Sequence, residues 1–165
     1  MTAAYDLAPW ANFFVAEVGA SAALVGLLFV AVSINLTKIL AQPALPGRAF
    51  EALVVLVLVL FVATFGLVPG QSIVAYGIEV LTSAVAAWGI TLQIQRRAPV
   101  DPGHPKLWMA SRVMATQAAT LPMIVAGLSL ITQRGGGLFW IVASVIASFL
   151  AALIDAWVLL IEIQR

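Results

Sequence analysis

Two glutamates stand where hydrocarbon would be expected. Glu17 lies seven residues after Trp10 and Glu79 eight residues after Gln71, each inside a long apolar run. At 1.5 Å of rise per helical residue, both carboxyls sit about 10–12 Å from the same end of their segments. A charge near the bilayer centre costs about 2.5–3.5 kcal/mol on insertion scales, so a carboxyl kept there is a candidate for proton uptake or cation binding in a polar path. The competing readings are structural. Each glutamate could be protonated, or favoured by a nearby helix N-terminus, or turned toward lipid headgroups or a partner subunit. The surroundings of the two are alike. Glu17-Val18-Gly19-Ala20-Ser21-Ala22 parallels Glu79-Val80-Leu81-Thr82-Ser83-Ala84, and in each a serine (Ser21, Ser83) follows the acid by four residues, on the same helical face. The offset of 62 (79 − 17) fits a parallel repeat of two helical hairpins.

A second polar pair is expected toward the other end of the segments. Arg112 and Asp155 lie at comparable depths in the last two apolar runs, and an ion pair between them would fix helix packing. Glu51 and Glu162 read as solvated residues at the interface. The deeper amides Asn35 and Gln117 would hydrogen-bond across helices, at about 0.6–2 kcal/mol each.

The small residues suggest where helices approach closely. Gly19, Ala22, Ala23, Gly26 and Ser33 mark one side of the first apolar run; Ala143, Ala147 and Ala151, with Ser144 and Ser148, mark the last. Such spacings serve internal contacts or a subunit interface. Pro122 should kink the fourth run by removing a helical hydrogen bond, with Thr116 and Thr120 serving the freed carbonyls.

Several chemistries lack their residues. There is no cysteine and one histidine, His104, which removes thiolate nucleophiles, disulfides and His or Cys metal clusters. No metal and no cofactor is called for. No glycine-rich phosphate loop follows a strand. Gly127-Leu128-Ser129-Leu130 resembles the nucleophile segment of intramembrane serine proteases but lacks its final glycine. The net charge of +1 gives no clustered basic surface for a nucleic-acid partner. No catalytic constellation stands out, and the chain reads as a non-enzyme.

The elements that must position these residues are set by composition. Of 165 residues, 63% are hydrophobic and 9% charged, against roughly 25% charged in soluble domains. A membrane-spanning helix needs about 20 mostly apolar residues. Five windows qualify, at 13–34, 52–68, 72–94, 107–131 and 138–161. Their unbroken apolar runs exclude a β-barrel, whose strands alternate. The second window is short enough to allow a four-helix alternative with one re-entrant segment. The linkers are 42–47, the tight turn Pro69-Gly70-Gln71, the proline-rich stretch 98–105 and the glycine-rich stretch 133–137. Turn residues of this kind break helices.

Basic loops stay cytoplasmic. With the N-terminus outside, Lys38, Arg48, Arg96, Arg97, Lys106, Arg112 and Arg165 fall inside and only Arg134 outside. Trp10, Tyr76 and Trp140 then anchor the outer boundary and Trp108 and Trp157 the inner one, while Trp88 is deeper and packs. The N-terminus carries no basic leader, so the first run reads as a retained helix.

The expectation is thus an all-α polytopic bundle of five spanning helices, N-out and C-in, forming a single membrane domain over 1–165. The matched carboxyls suggest a homo-oligomeric ion channel or small transporter, with Glu17, Glu79, Ser21 and Ser83 lining the path. The alternative is a non-catalytic scaffold or accessory subunit of a larger membrane complex, and the third reading is a lipid-acting enzyme built on Arg112 and Asp155. The expected partners are the lipid bilayer and a second copy or another membrane protein. The expected location is a cell membrane, of bacterial inner-membrane type.

Overall fold

The computed structural model describes residues 3–43, 45–98 and 106–162. His104, Arg165 and the linker at 99–105 lie outside the described residues, as do the side chains of Lys106, Trp108 and Glu162. The elements are α1 (Ala11–Ile34), a short α2 (Leu36–Ala41), α3 (Leu45–Gly66), α4 (Ile73–Arg97), α5 (Lys106–Thr132) and α6 (Phe139–Glu162). All but α2 are long and apolar enough to cross a membrane. The chain is a multi-pass membrane protein, all-helical among its described residues. The shortest of these long helices, α3, has 22 residues, about 33 Å, enough for a hydrocarbon core of about 30 Å.

The second span begins seven residues before the expected Ala52. Pro46-Gly47, expected in a linker, instead forms the first turn of α3. Proline is tolerated there because its missing N–H would have no intrahelical partner anyway. The correction removes the four-helix alternative and carries Arg48 and Glu51 into the bundle. The turn between α3 and α4 is as expected. Gly70 adopts φ +72°, and the Ser72 hydroxyl caps α4 by accepting from the Ala75 amide at 3.2 Å.

Helices α3, α4, α5 and α6 pack in that order around a ring that α6 closes against α3, and α1 lies outside the ring, against α3. This explains why 56% of the best α3 window is buried and only 11% of the α1 window. Phe14, Ser21 and Leu28, spaced by seven, are the buried line of α1. One apolar cluster, with Phe14, Val59, Val62, Tyr76, Met123 and Leu130, fills the half of the ring near the start of α1. A second, with Leu28, Leu45, Ala52, Leu56, Ala119 and Ala152, fills the other.

Close approach is made by other glycines than those expected. A Cβ on Gly127 would stand 2.7 Å from Leu81, one on Gly77 2.9 Å from Leu130, and one on Gly66 2.7 Å from the Phe14 ring. Helices in lipid are held by such van der Waals contact. A Cβ on Gly19 or Gly26, by contrast, would meet nothing within 4 Å, and Ala22, Ala23 and Ser33 leave α1 on sides other than its buried line. The expected packing stripe of α1 is therefore not the face it packs with, because α1 turns Phe14, Ser21 and Leu28 toward α3 instead.

At the α1 start, residues 3–10 form a strap across the α5–α6 loop. The Ala4 carbonyl accepts from the Leu138 amide at 3.0 Å, and the Tyr5 hydroxyl from the Gly136 amide at 3.0 Å. Gly137 adopts φ +52° beneath Ala4, a conformation and a space that only glycine meets easily. Tyr76 is a correction to the anchor list. It is wholly buried, with its hydroxyl donating to the Val62 carbonyl at 3.1 Å.

Candidate functional site

The charged residues that the bundle brings together lie at the end opposite the strap. Arg48 and Glu51, three apart on α3, share a face. Across from them, α5 supplies Arg112 and α6 supplies Asp155. Arg112 Nε donates to Glu51 Oε2 at 2.7 Å. Arg48 donates to Asp155 Oδ1 from both Nε, at 3.0 Å, and Nη2, at 2.6 Å. Arg112 and Asp155, expected to pair with each other, thus come to one site but take α3 residues as direct partners. The reason is the early start of α3, which offers each of them an opposite charge. Glu51 is not solvated as expected, being 1% exposed.

All four charged side chains line one cavity of about 90 Å³, together with Ser111 and Thr116. Two cations and two anions make the chamber neutral in sum. Its hydrogen bonding is incomplete: Glu51 Oε1 and Arg112 Nη2 are buried and have no partner among the described residues. Buried polar atoms of this kind are costly unless something completes them. Gly47 lies close against Ile94 at the edge of this site. A Cβ there would stand 3.5 Å from Arg112 Nη2 and 3.2 Å from Ile94. Thr116 steadies the α5 wall, donating to the Arg112 carbonyl at 2.7 Å and accepting from Gln95 Nε2 of α4 at 2.8 Å.

The carboxyls of Glu17 and Glu79 are arranged differently. Phe14 and Tyr76, each three residues before one of them, are in ring contact at 5.8 Å, so Glu17 and Glu79 stand at one level. Among the described residues no hydrogen bond or ion pair joins them. Glu79 Oε2 accepts from Gln71 Nε2 at 2.5 Å. Glu17 Oε2 is buried without a partner among the described residues. Ser21 does not face the Glu17 carboxyl, because its hydroxyl donates back to the Glu17 carbonyl at 2.6 Å. Ser83 lies apart from all of these, in a groove between α3 and α4.

The remaining polar residues serve the helices. Gln117 bonds across α4 and α5, accepting from Trp88 Nε1 at 2.9 Å. Asn35 does not cross helices; its amide donates to the Ala31 carbonyl of its own helix at 2.9 Å. Thr116 and Thr120 back-bond to the carbonyls of Arg112 and Thr116. A hydroxyl bonding four residues back cannot reach the carbonyl that Pro122 frees at Ala118. The neighbouring Ala119 carbonyl instead accepts from Ser144 of α6. Ser129, the centre of the protease-like segment, is a loop staple that accepts from the Gly137 amide at 2.8 Å and donates to the Arg134 carbonyl.

Sequence reasoning missed Arg48 and Glu51. The available signal was Leu45-Pro46-Gly47 read as a helix start, which makes Arg48 and Glu51 a pair on one helical face. Compared with protein-family models, curated proteins and solved structures, the chain matches none.

Proposed function

We propose that this chain is a small membrane transport protein whose working site is the four-charge chamber, with proton transfer as its chemistry. The observation that carries this reading is a buried carboxylate lining a cavity, with one oxygen on Arg112 and the other without a partner among the described residues. That second oxygen of Glu51 is a place for a proton to arrive. A protonated Glu51 holds Arg112 less strongly, and the released guanidinium then favours the other anion in the chamber, Asp155. Exchange of partners among charges on α3, α5 and α6 couples protonation to the relative position of three helices. Ionisable residues within a membrane serve such relays by pairing with one another. Apolar clusters fill both halves of the ring, so transport on this reading proceeds by helix movement rather than through a standing pore. With the basic end cytoplasmic, the chamber lies on the side of the inner leaflet.

The test is flux from proteoliposomes loaded with a pH-reporting dye and given a pH step. Proton movement above that of empty vesicles is expected. Glu51→Gln and Asp155→Asn should abolish it, while Glu17→Gln and Glu79→Gln leave it within about twofold. No flux, or equal flux in all four variants, overturns the proposal.

One observation favours the scaffold reading: the open small-residue face of α1, with Gly19 and Gly26 uncovered. On that reading α1 docks against another membrane protein or a second copy. Purification in mild detergent would then yield a stoichiometric partner that a Gly26→Leu variant loses.

A further inference from the structure

Between α3 and α4 runs a groove of about 510 Å³, open along its length and almost wholly apolar. Its α3 wall extends from Phe50 to Phe61 and its α4 wall from Thr82 to Ile90. The bundle leaves it because α1 packs on α3 without covering this side. We propose that this groove is a binding site for one acyl chain of an anionic phospholipid, whose net negative headgroup is held by Arg97.

Geometry and charge point to that occupant. Phe50 to Phe61 is eleven residues, or about 16 Å of helix, and runs along the spans as an acyl chain does. At about 30 Å³ for a water-sized group, 510 Å³ has room for such a chain. Phe50 and Phe61 are half exposed at its two ends, as ring borders of a slot. On α4, Ser83, Ile90 and Arg97 are spaced by seven, so they fall on nearly one line of the helix. That line carries the groove floor straight to an exposed guanidinium, about 10 Å beyond Ile90. Arg96 stands beside it, also exposed. Basic residues at a membrane surface attract anionic headgroups. An apolar slot whose line ends in a guanidinium fits one ligand chemistry, a hydrocarbon tail joined to an anion.

This inference stands apart from the transport reading and survives its failure. The whole chain is reconstituted in phosphatidylcholine bilayers with a minor fraction of either phosphatidylglycerol or phosphatidylcholine bearing a photoreactive acyl chain, and the labelled residues are mapped by mass spectrometry. Expected are cross-links concentrated on Leu53, Val57, Ala86 and Ile90, several-fold stronger from phosphatidylglycerol. Arg97→Gln should remove the headgroup preference while groove labelling persists. Ala86→Trp, at an exposed groove position, should remove groove labelling from both lipids and leave thermal stability unchanged. Equal labelling by the two lipids, or phosphatidylglycerol labelling spread evenly onto Leu27, Phe29 and Ile146, overturns the proposal. Because the chain has no cysteine, Ala86→Cys provides a second check. Disulfide-linked dimers of that variant would put a second copy in the groove and overturn it as well.

Discussion

The two ends of this bundle handle intramembrane acids in opposite ways. At the basic end, Glu51 and Asp155 each meet a guanidinium from a different helix. At the strap end, Glu79 is held by an amide eight residues away on its own chain segment, and Glu17 Oε2 has no partner among the described residues. The difference teaches that depth alone does not make a site. All four acids lie within spanning helices; Glu51 and Asp155 tie helices together and share a cavity with basic partners, whereas Glu17 and Glu79 make no ion pair among the described residues.

The comparison is broken most directly by making one substitution at both ends. Glu51→Leu leaves Arg112 buried without its partner, and removal of one member of a buried pair costs about 3–5 kcal/mol. Glu17→Leu removes a carboxyl that ties no helices together and should be neutral or slightly stabilising. Reversible unfolding in detergent distinguishes the two; equal losses would erase the difference between the ends. Pairing the first change with Arg112→Met should recover most of the loss, since apolar replacement of a whole buried pair is often neutral.

A smaller effect sharpens the contrast between covered and open glycines. Gly127→Leu forces a side chain against Leu81 and should lose about 1–3 kcal/mol, the usual range for overpacking. Gly26→Leu, on the open face of α1, should shift the unfolding midpoint of the isolated chain within error. A loss at Gly26 as large as at Gly127 would mean that α1 packs elsewhere than on α3.

The smallest effect concerns the strap end. Tyr76→Phe removes the bond to the Val62 carbonyl and keeps the ring, so about 0.6 kcal/mol is expected, the average for hydrogen bonds between membrane helices. The same unfolding assay reads it, and a loss above that of Gly127→Leu would make this bond, not close glycine packing, the main tie of that end.

Much of the fold was legible in the sequence. Four of the five spans agree with the hydropathy windows to within a few residues at each end, and the Pro69-Gly70 turn is where its residue types put it. The site was legible only in part. Arg112 and Asp155 were found as charges in the right two helices, but their partners were hidden because Pro46-Gly47 read as linker and the charges at 48 and 51 kept the apolar window from starting before Ala52. Which small residues make contacts inside the chain was likewise hidden. Alanine and glycine are abundant in every span, so composition cannot tell the glycines that touch a neighbour, Gly66, Gly77 and Gly127, from Gly19 and Gly26, which touch none.

The sequence by itself determined that this chain crosses a membrane as helices, and nearly where each helix lies. Transfer from water to hydrocarbon is a sum over consecutive residues, and backbone hydrogen bonds in lipid are closed within each helix, so both are local properties. Tertiary structure alone decided which charge meets which. That choice depends on the order of helices around the ring and the rotation of each about its axis, and these follow from side chains far apart in the chain packing together, as Gly127 does with Leu81 and Arg112 with Glu51.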